Sequence, residues 1–336
     1  MRSLFCLLTI LLAPSHPYAQ GQSGSQPQSG APESSATRQA ADPIVLETPT
    51  GKLFGLLELP KSSAPLPVAL IIAGSGPTDR NGNSPLIQGA NNSLKYLAEG
   101  LAAQGIASVR YDKRGVAESI KAAPRQPDLR FETYIDDAVL WGKQLRADKR
   151  FSSVIIIGHS EGSLIGMVAA QRMNADAFIS IAGAGRPAPQ GLMDQLKRNL
   201  PADLQSKAEM IIKSLSEGKI VEDVPPALSG ALFGRGIQPY LISYFKYDPA
   251  KEITKLSIPV LIAQGTTDIQ VPAQDAKLLA EAKPSASLLM IEGMNHVLKE
   301  VPDEQEKQMN SYTDPSLPVA PKLIEGTSNF IKAIKK

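Results

Sequence analysis

Cysteine is almost absent from this 336-residue sequence, which contains only Cys6. That residue lies in the apolar run Leu4 to Ala13, which follows Arg2 and resembles the hydrophobic part of a secretory signal. We therefore expect residues 1–19 to be a signal peptide and the mature protein to be exported, to the periplasm or the medium. Loss of Cys6 would leave no thiol, which excludes disulfides, cysteine nucleophiles and thiolate metal sites.

The sequence also lacks blocks of like charge and long apolar runs. Its 35 basic and 33 acidic residues give a net charge of +2, which argues against nucleic acid as a partner. The first apolar run is shorter than the ~20 residues that span a bilayer, so we expect no stable membrane insertion after signal removal. Residues 20–42 are rich in Gln, Ser, Gly, Ala and Pro and predict a flexible linker. The folded domain is expected over residues 43–336.

Short apolar runs and helical patterns alternate along that domain. Predicted strands cover 44–48, 52–59, 68–73, 106–111, 154–157, 178–182, 258–263 and 287–291. Predicted helices cover 92–104, 131–147, 160–173, 192–200, 204–215, 274–282 and 320–334. The alternation predicts an α/β fold with a mainly parallel, doubly wound sheet. It is interrupted over 186–251, where we predict a helical cap insertion above the carboxyl edge of the sheet.

The sharpest motif is Gly158-His159-Ser160-Glu161-Gly162, directly after the apolar run 154–157 and before a predicted helix. This is the G-x-S-x-G pattern in the strand–turn–helix setting of a nucleophile elbow. The turn is so tight that side chains at Gly158 and Gly162 would collide with neighbouring elements. Ser160 is therefore the candidate nucleophile.

A serine hydroxyl needs a base to take its proton. The sequence has only three histidines, His16, His159 and His296. The first lies in the predicted signal peptide, and His159 is adjacent to Ser160, where neighbouring side chains point in different directions. His296, just after the last predicted strand, is left as the candidate base.

The imidazole in turn needs a carboxylate that orients it. Asp268 follows the predicted strand 258–263 and precedes His296 by one helix–strand unit, which gives the order Ser, Asp, His. Asp275 is the alternative, but it falls within a predicted helix.

Three segments resemble the active-site segments of the α/β-hydrolase superfamily: residues 158–162, Gly265 to Asp268, and Asn295-His296. Tyr111 to Gly115 resembles the D-x-R-G segment found after the second parallel strand in many members. The loop 73–82, AGSGPTDRNG, resembles a bacterial esterase branch close to the serine aminopeptidase-like hydrolases. The resemblance covers about residues 43–336 and implies an α/β-hydrolase fold.

The resemblance also implies an oxyanion hole made of two main-chain donors. One is the N–H of Glu161, the residue after the nucleophile, and the other is the N–H of Ser75, with Gly76 as the alternative. The Glu161 side chain is expected to be a solvated carboxylate, with a hydrogen bond near the entrance of the site as the alternative. Structural turns and ion pairs are expected for four further charged residues: Asp79, Arg80, Asp112 and Arg114.

The predicted activity is cleavage of small-molecule carboxylic esters through an acyl-enzyme, with no metal and no organic cofactor. The alternative activities on the same residues are peptidase or aminopeptidase-like cleavage and thioester hydrolysis. The non-enzymatic alternative is a binding protein that has the hydrolase fold but no activity. A dinucleotide loop is excluded because Asp79 stands where the third glycine would be. The predicted cap contributes aromatic residues that either form an apolar acyl pocket or pack the cap: Phe233, Tyr240, Tyr244, Phe245 and Tyr247.

Overall fold

The computed structural model describes residues 41–334. The predicted signal peptide, residues 1–19, lies outside the described residues, as does the predicted linker up to residue 40. The first strand begins at Asp42, one residue before the predicted start of the domain. No helix between residues 41 and 334 is both long and apolar enough to cross a membrane.

Between residues 41 and 334, eight strands form one sheet in the order β1-β2-β4-β3-β5-β6-β7-β8. The first two are an antiparallel hairpin, β2 pairs antiparallel with β4, and all other neighbours are parallel. The strands are β1 Asp42–Thr48, β2 Gly51–Glu58, β3 Leu66–Ile72, β4 Ala107–Tyr111, β5 Phe151–His159, β6 Ala177–Ile181, β7 Val260–Gly265 and β8 Ser287–Ile291.

In the described part of the chain, ten α-helices of six or more residues flank or follow these strands. They are α1 Ser93–Ala103, α2 Phe131–Ala147, α3 Glu161–Met173, α4 Ala188–Asn199, α5 Ala202–Ser216, α6 Gln238–Tyr244, α7 Pro249–Thr254, α8 Ala273–Ala282, α9 Gln305–Ser311 and α10 Pro321–Lys332. Shorter elements are the 3₁₀ helices Ala117–Ala122 and Gln126–Asp128, one helical turn at Pro226–Leu228 and a π-helix at Ser229–Phe233.

The central strands are buried on both faces of the sheet. In β3, Val68 and Leu70 belong to one hydrophobic cluster, whereas the intervening Ala69 and Ile71 belong to the cluster on the opposite face. Such alternation follows from the two-residue period of a strand. The first cluster includes side chains of α2 and α3, and the second those of α1 and α10. The sheet is thus covered by helices on both sides, as the continuous apolar runs predicted.

The segment between β6 and β7 is helical, and it contains α4 to α7. Its apolar side chains join the first hydrophobic cluster, among them Leu192, Leu215 and Leu241. Helices were predicted here over 192–200 and 204–215. Helix α4 begins four residues before the first range and ends one residue before its end, and α5 extends beyond the second range at both ends. That the segment acts as a cap stays a prediction. Helices α6 and α7 had no predicted range of their own, although a helical segment was predicted over 186–251. Helix α9 was not predicted because its sequence QEKQMNS has no apolar stripe.

Candidate active site

The turn between β5 and α3 holds its central residue in a strained conformation. Ser160 has φ 55° and ψ −123°, which is uncommon for any residue other than glycine. Its N–H donates to the carbonyl of Ile181 on β6 at 3.0 Å, which ties the turn to the sheet. Such strain concentrates at functional sites, where the surrounding structure maintains it. The geometry is that expected of a nucleophile elbow.

The two motif glycines are required by contacts between backbone segments. A Cβ on Gly158 would lie 2.2 Å from the carbonyl oxygen of Gly162. A Cβ on Gly162 would lie 2.3 Å from the carbonyl oxygen of Ile72, at the end of β3. Both obstacles are main-chain atoms that cannot rotate away, so neither position accommodates even alanine without movement of a strand.

We therefore predict that Gly162→Ala lowers the free energy of unfolding by about 3 kcal/mol, the upper part of the usual range for overpacking. The matched control is Gly191→Ala in helix α4, where an added Cβ meets nothing within 4 Å. That control should raise stability by about 0.5 to 1 kcal/mol, because alanine is the better helix former. Urea unfolding of both variants measures the difference, and equal midpoints would contradict the steric account.

The structure brings Asp268 and His296 together. Nδ1 of His296 lies 2.8 Å from Oδ2 of Asp268, and both side chains are buried. The other carboxylate oxygen accepts the N–H groups of Gln270 and Val271 at 2.8 and 2.9 Å. These main-chain donors fix the carboxylate in place. A proton on Nδ1 that is donated to Asp268 leaves Nε2 of His296 as a proton acceptor.

Backbone contacts between two loops position this pair. Gly265 ends β7 so close to the loop after β8 that a Cβ there would lie 1.8 Å from the carbonyl oxygen of Met294. The same carbonyl accepts the N–H of Thr267 at 3.2 Å, and the Thr267 hydroxyl donates to the carbonyl of Gly293 at 2.9 Å. The loops that carry Asp268 and His296 are therefore joined directly before each of these two residues.

Ser160 borders two cavities. It shares the first with His296, and many of the residues around that cavity have side chains with a polar group: Thr78, Asn83, Ser84, Asn91, Ser93, His159, Gln270 and Tyr312. The second cavity contains more apolar residues, many of them from the helical segment between β6 and β7: Leu164, Leu192, Leu232, Leu241, Tyr244, Phe245, Pro249, Val271 and Pro272. Ser75, the predicted second oxyanion donor, borders both cavities.

The sequence left open whether the aromatic residues of the helical segment line an acyl pocket or pack the segment on the body of the protein, and the structure shows both. Tyr244 and Phe245 border the apolar cavity. Phe233 is completely buried, which is a packing position, and the Tyr247 hydroxyl donates to Glu132 at 3.2 Å. Tyr240 is buried beside the carboxylate of Glu161.

His159 binds the main chain of the loop that carries His296 and is not placed as an alternative general base. Its Nε2 lies 2.8 Å from the carbonyl oxygen of His296 and donates to it, and the two rings are 4.9 Å apart. Burial lowers the pKa of His159 to about 3, with a smaller contribution in the same direction from His296. The His159 ring is therefore neutral at physiological pH.

The expectation of a solvated Glu161 side chain was wrong. Only 4% of it is exposed, and its Oε1 lies 3.9 Å from Nζ of Lys113. The Tyr240 hydroxyl donates to the same carboxylate, while burial raises the pKa of Glu161. The sequence suggested solvation because the partners come from distant parts of the chain.

The other charged residues near the motifs form structural ion pairs. Arg80 binds Asp112 through both its guanidinium and its main-chain N–H, with an Nη2–Oδ2 distance of 2.7 Å. Nε of Arg114 donates to Asp137 at 2.8 Å. Asp275, the alternative carboxylate, is bound by Arg186 at 2.9 Å on helix α8. Asp275 is thus paired with Arg186, whereas the carboxylate bound to His296 is that of Asp268.

Sequence reasoning missed two residues at the site. Gln264 donates from Nε2 to Asp268 at 3.2 Å and thus binds the same oxygen as His296. Lys113 is buried beneath the loop that follows β3, where its ammonium donates to the carbonyl of Gly74. A signal for Lys113 existed: a lysine stands between the Asp and Arg of the D-x-R-G segment, directly after a buried strand.

Comparison with solved structures defines the class of fold. Est1E from Butyrivibrio proteoclasticus, solved with ferulic acid, aligns with a TM-score of 0.58 at 17% identity, covering 87% of this chain and 98% of that one. The esterase domain of a Rhodothermus marinus protein aligns with a TM-score of 0.51 at 17% identity, covering 87% and 99%. At these identities the likeness concerns the fold alone, and it confirms the predicted α/β-hydrolase architecture.

Comparison of sequences defines the family. The model of the family described as serine aminopeptidase, S33, matches residues 89–301. The chain is also 31% identical over 249 residues to the protein named Esterase EstD of Thermotoga maritima, a match that covers 73% of this chain. The aligned part spans 58% of that relative's length. The chain belongs to the serine aminopeptidase, S33, family.

Proposed function

We propose that this protein is a serine hydrolase that cleaves carboxylic esters through an acyl-enzyme formed on Ser160. The observation that carries the proposal is the position of His296, which is hydrogen-bonded to Asp268 at 2.8 Å and borders the same cavity as Ser160. A nucleophile on a strained turn, a histidine beside it and a buried carboxylate that orients the histidine are the parts that acyl transfer requires.

The reaction follows two balanced steps. Nε2 of His296 takes the proton of the Ser160 hydroxyl as its oxygen bonds to the substrate carbonyl carbon. The oxygen of the tetrahedral intermediate accepts hydrogen bonds from the N–H groups of Ser75 and Glu161. The carbon–oxygen bond to the alcohol then breaks, and His296 gives its proton to the departing oxygen. In the second step Nε2 of His296 takes a proton from water as the water oxygen bonds to the acyl carbon. The bond between that carbon and Oγ of Ser160 then breaks, His296 returns the proton to Oγ, and the acid is released.

Because His296 is the proposed general acid, its position indicates which part of the substrate each cavity would hold. The leaving oxygen must lie within hydrogen-bond reach of His296, which borders the polar cavity. The alcohol part of the substrate is therefore assigned to that cavity and the acyl part to the more apolar one. The apolar side chains around the acyl cavity support an ester with an apolar acyl group.

The charges in the acyl cavity favour esters over aminoacyl substrates. Recognition of a free α-ammonium group requires a carboxylate that is available to it. Three carboxylates border this cavity, Glu161, Asp194 and Asp275. Each already faces a cation of the protein, Lys113 in the first case and Arg186 in the other two. The name of the relative Esterase EstD supports the same choice.

A substrate panel tests the proposal. Purified wild-type protein and the variant Ser160→Ala are assayed on p-nitrophenyl esters from acetate to palmitate, on matched thioesters and on aminoacyl p-nitroanilides. We expect turnover of the esters and its loss in Ser160→Ala. Activity confined to the anilides would establish the peptidase alternative, and activity confined to thioesters the thioesterase one. Ester cleavage that survives Ser160→Ala would overturn the proposed nucleophile.

A further inference from the structure

Lys113 is a buried cation with contacts that none of the preceding steps uses. It follows strand β4 by two residues, and 1% of its side chain is exposed. Its Nζ donates to the carbonyl oxygen of Gly74, lies 3.9 Å from Oε1 of Glu161, and is 5.4 Å from the centre of the Tyr134 ring. The ammonium is thus between the loop after β3 and the first residue of the elbow helix.

Such a pair is a costly way to stabilise a fold. Removing both charges from water costs several kcal/mol per ion, and replacement of buried pairs by apolar residues is often neutral or stabilising. Here the remaining oxygen contacts of Glu161 include the hydroxyl of Tyr240. Stability alone therefore does not account well for a buried ion pair next to Ser160. The contact of the ammonium with the main chain is the better explanation.

The main-chain group that Lys113 binds belongs to a particular peptide unit. The carbonyl of Gly74 and the N–H of Ser75 are the two ends of one peptide, and the structure contains no cis peptide bond between residues 41 and 334. In a trans peptide these two groups point in opposite directions. An ammonium that fixes the carbonyl oxygen on one side therefore fixes the direction of the Ser75 N–H on the other.

The loop that contains this peptide lies against the nucleophile. A Cβ built on Gly74 would lie 3.0 Å from Cβ of Ser160, so the loop passes directly beside the elbow. Ser75 borders both cavities that Ser160 borders. Glu161, the partner of Lys113, carries the other predicted donor N–H at the start of helix α3.

We propose that Lys113 is a positioning residue of the oxyanion hole. It orients the Ser75 N–H through the Gly74 carbonyl, and its ion pair with Glu161 ties the loop after β3 to the residue that supplies the second donor. The inference rests on the proposed function, because it assumes that an oxyanion develops at Ser160. The D-x-R-G segment would then have two roles. Asp112 and Arg114 form structural ion pairs, and Lys113 contributes to binding of the transition state.

The test compares turnover with the binding of a tetrahedral adduct. In Lys113→Met, which removes the ammonium and leaves an unbranched side chain, kcat for a p-nitrophenyl ester should fall by about 100-fold, the scale of a misplaced catalytic group. KM should change less than threefold, roughly the limit at which substrate binding is unaffected. Inhibition by an alkylboronic acid, which forms a tetrahedral adduct with an oxygen in the hole, should weaken by about the same factor as kcat.

A double variant distinguishes the loss of oxyanion-hole positioning from the loss of stability that an unpaired buried charge causes. Lys113→Met alone leaves the Glu161 carboxylate buried without its cation, whereas Lys113→Met with Glu161→Gln removes both charges and keeps the Glu161 N–H. The double variant should regain much of the lost stability while kcat stays low. The matched control is Arg114→Met with Asp137→Asn, which removes a neighbouring buried ion pair that does not contact the loop. Its kcat should equal that of the wild type.

Recovery of kcat in the first double variant, or an equal loss in the Arg114 control, would overturn the inference, since either result would reduce Lys113 to a structural residue. Unchanged boronic acid inhibition would overturn it as well. The variant Ser160→Ala, assayed beside these, keeps the two proposals apart. If Ser160→Ala is inactive and Lys113→Met is folded with normal kcat, only the inference about Lys113 fails.

Discussion

His296→Ala should lower kcat for ester cleavage by about 10⁵-fold, because Ser160 then lacks the base that takes its proton and the alcohol lacks its acid. The histidine is bound to Asp268 and borders the cavity of Ser160, so no other described side chain is as well placed to replace it. The measurement is steady-state kinetics on the best p-nitrophenyl ester, with circular dichroism to verify the fold.

The double variant Ser160→Ala with His296→Ala provides the control for this prediction. Residues that act as a unit have strongly non-additive effects, so the double variant should be about as inactive as either single one. Losses that multiply would indicate that the two residues act independently. A His296→Ala protein with rates within tenfold of wild type would show, on the same scale of effects, that the assignment is wrong.

Asp268→Asn should lower kcat by about 10⁴-fold, the size seen when a histidine in this arrangement is held in the wrong tautomer. The carboxylate accepts from the Gln264 amide and from two main-chain N–H groups besides His296. Asparagine offers only one acceptor oxygen, so it satisfies those main-chain donors by turning its NH₂ group toward Nδ1 of His296. The proton then moves to Nε2, where it blocks the transfer from Ser160. Steady-state kinetics measures the loss.

Asp176→Asn is the matched control. This carboxylate also accepts a main-chain N–H, that of Val154 at 2.6 Å, and it is paired with Arg146. It precedes strand β6 and so lies at the amino edge of the sheet, opposite to Ser160. We expect a small loss of stability and an unchanged kcat. If both asparagine variants lost turnover equally, the loss would reflect the fold and not the orientation of His296.

The sheet and the elbow were predictable because they rest on local rules. Continuous apolar runs such as residues 154–157 specify strands that are covered on both faces, and β5 contains that run. The glycines of the elbow follow from close contact between backbone segments, which Gly158 and Gly162 show at 2.2 and 2.3 Å. The pairing of Asp268 with His296 followed from chain order together with the scarcity of histidine.

The buried polar contacts around Ser160 were not predictable in the same way. Glu161 was expected in solvent, yet it is buried among Lys113 and Tyr240, which precede and follow it by tens of residues. No pattern in the sequence around Glu161 predicts that helix α6, which is distant in the chain, covers this carboxylate. The short helix α9 escaped prediction for a related reason, since its sequence has no apolar stripe and its position depends on tertiary contacts.

The most direct test of the central claim is to map the site of a covalent serine probe. Wild-type protein is treated with a fluorophosphonate, digested, and analysed by mass spectrometry. The account predicts a single adduct on Ser160, absent from Ser160→Ala and formed far more slowly in His296→Ala. An adduct on a different residue, or labelling that persists in Ser160→Ala, would contradict it.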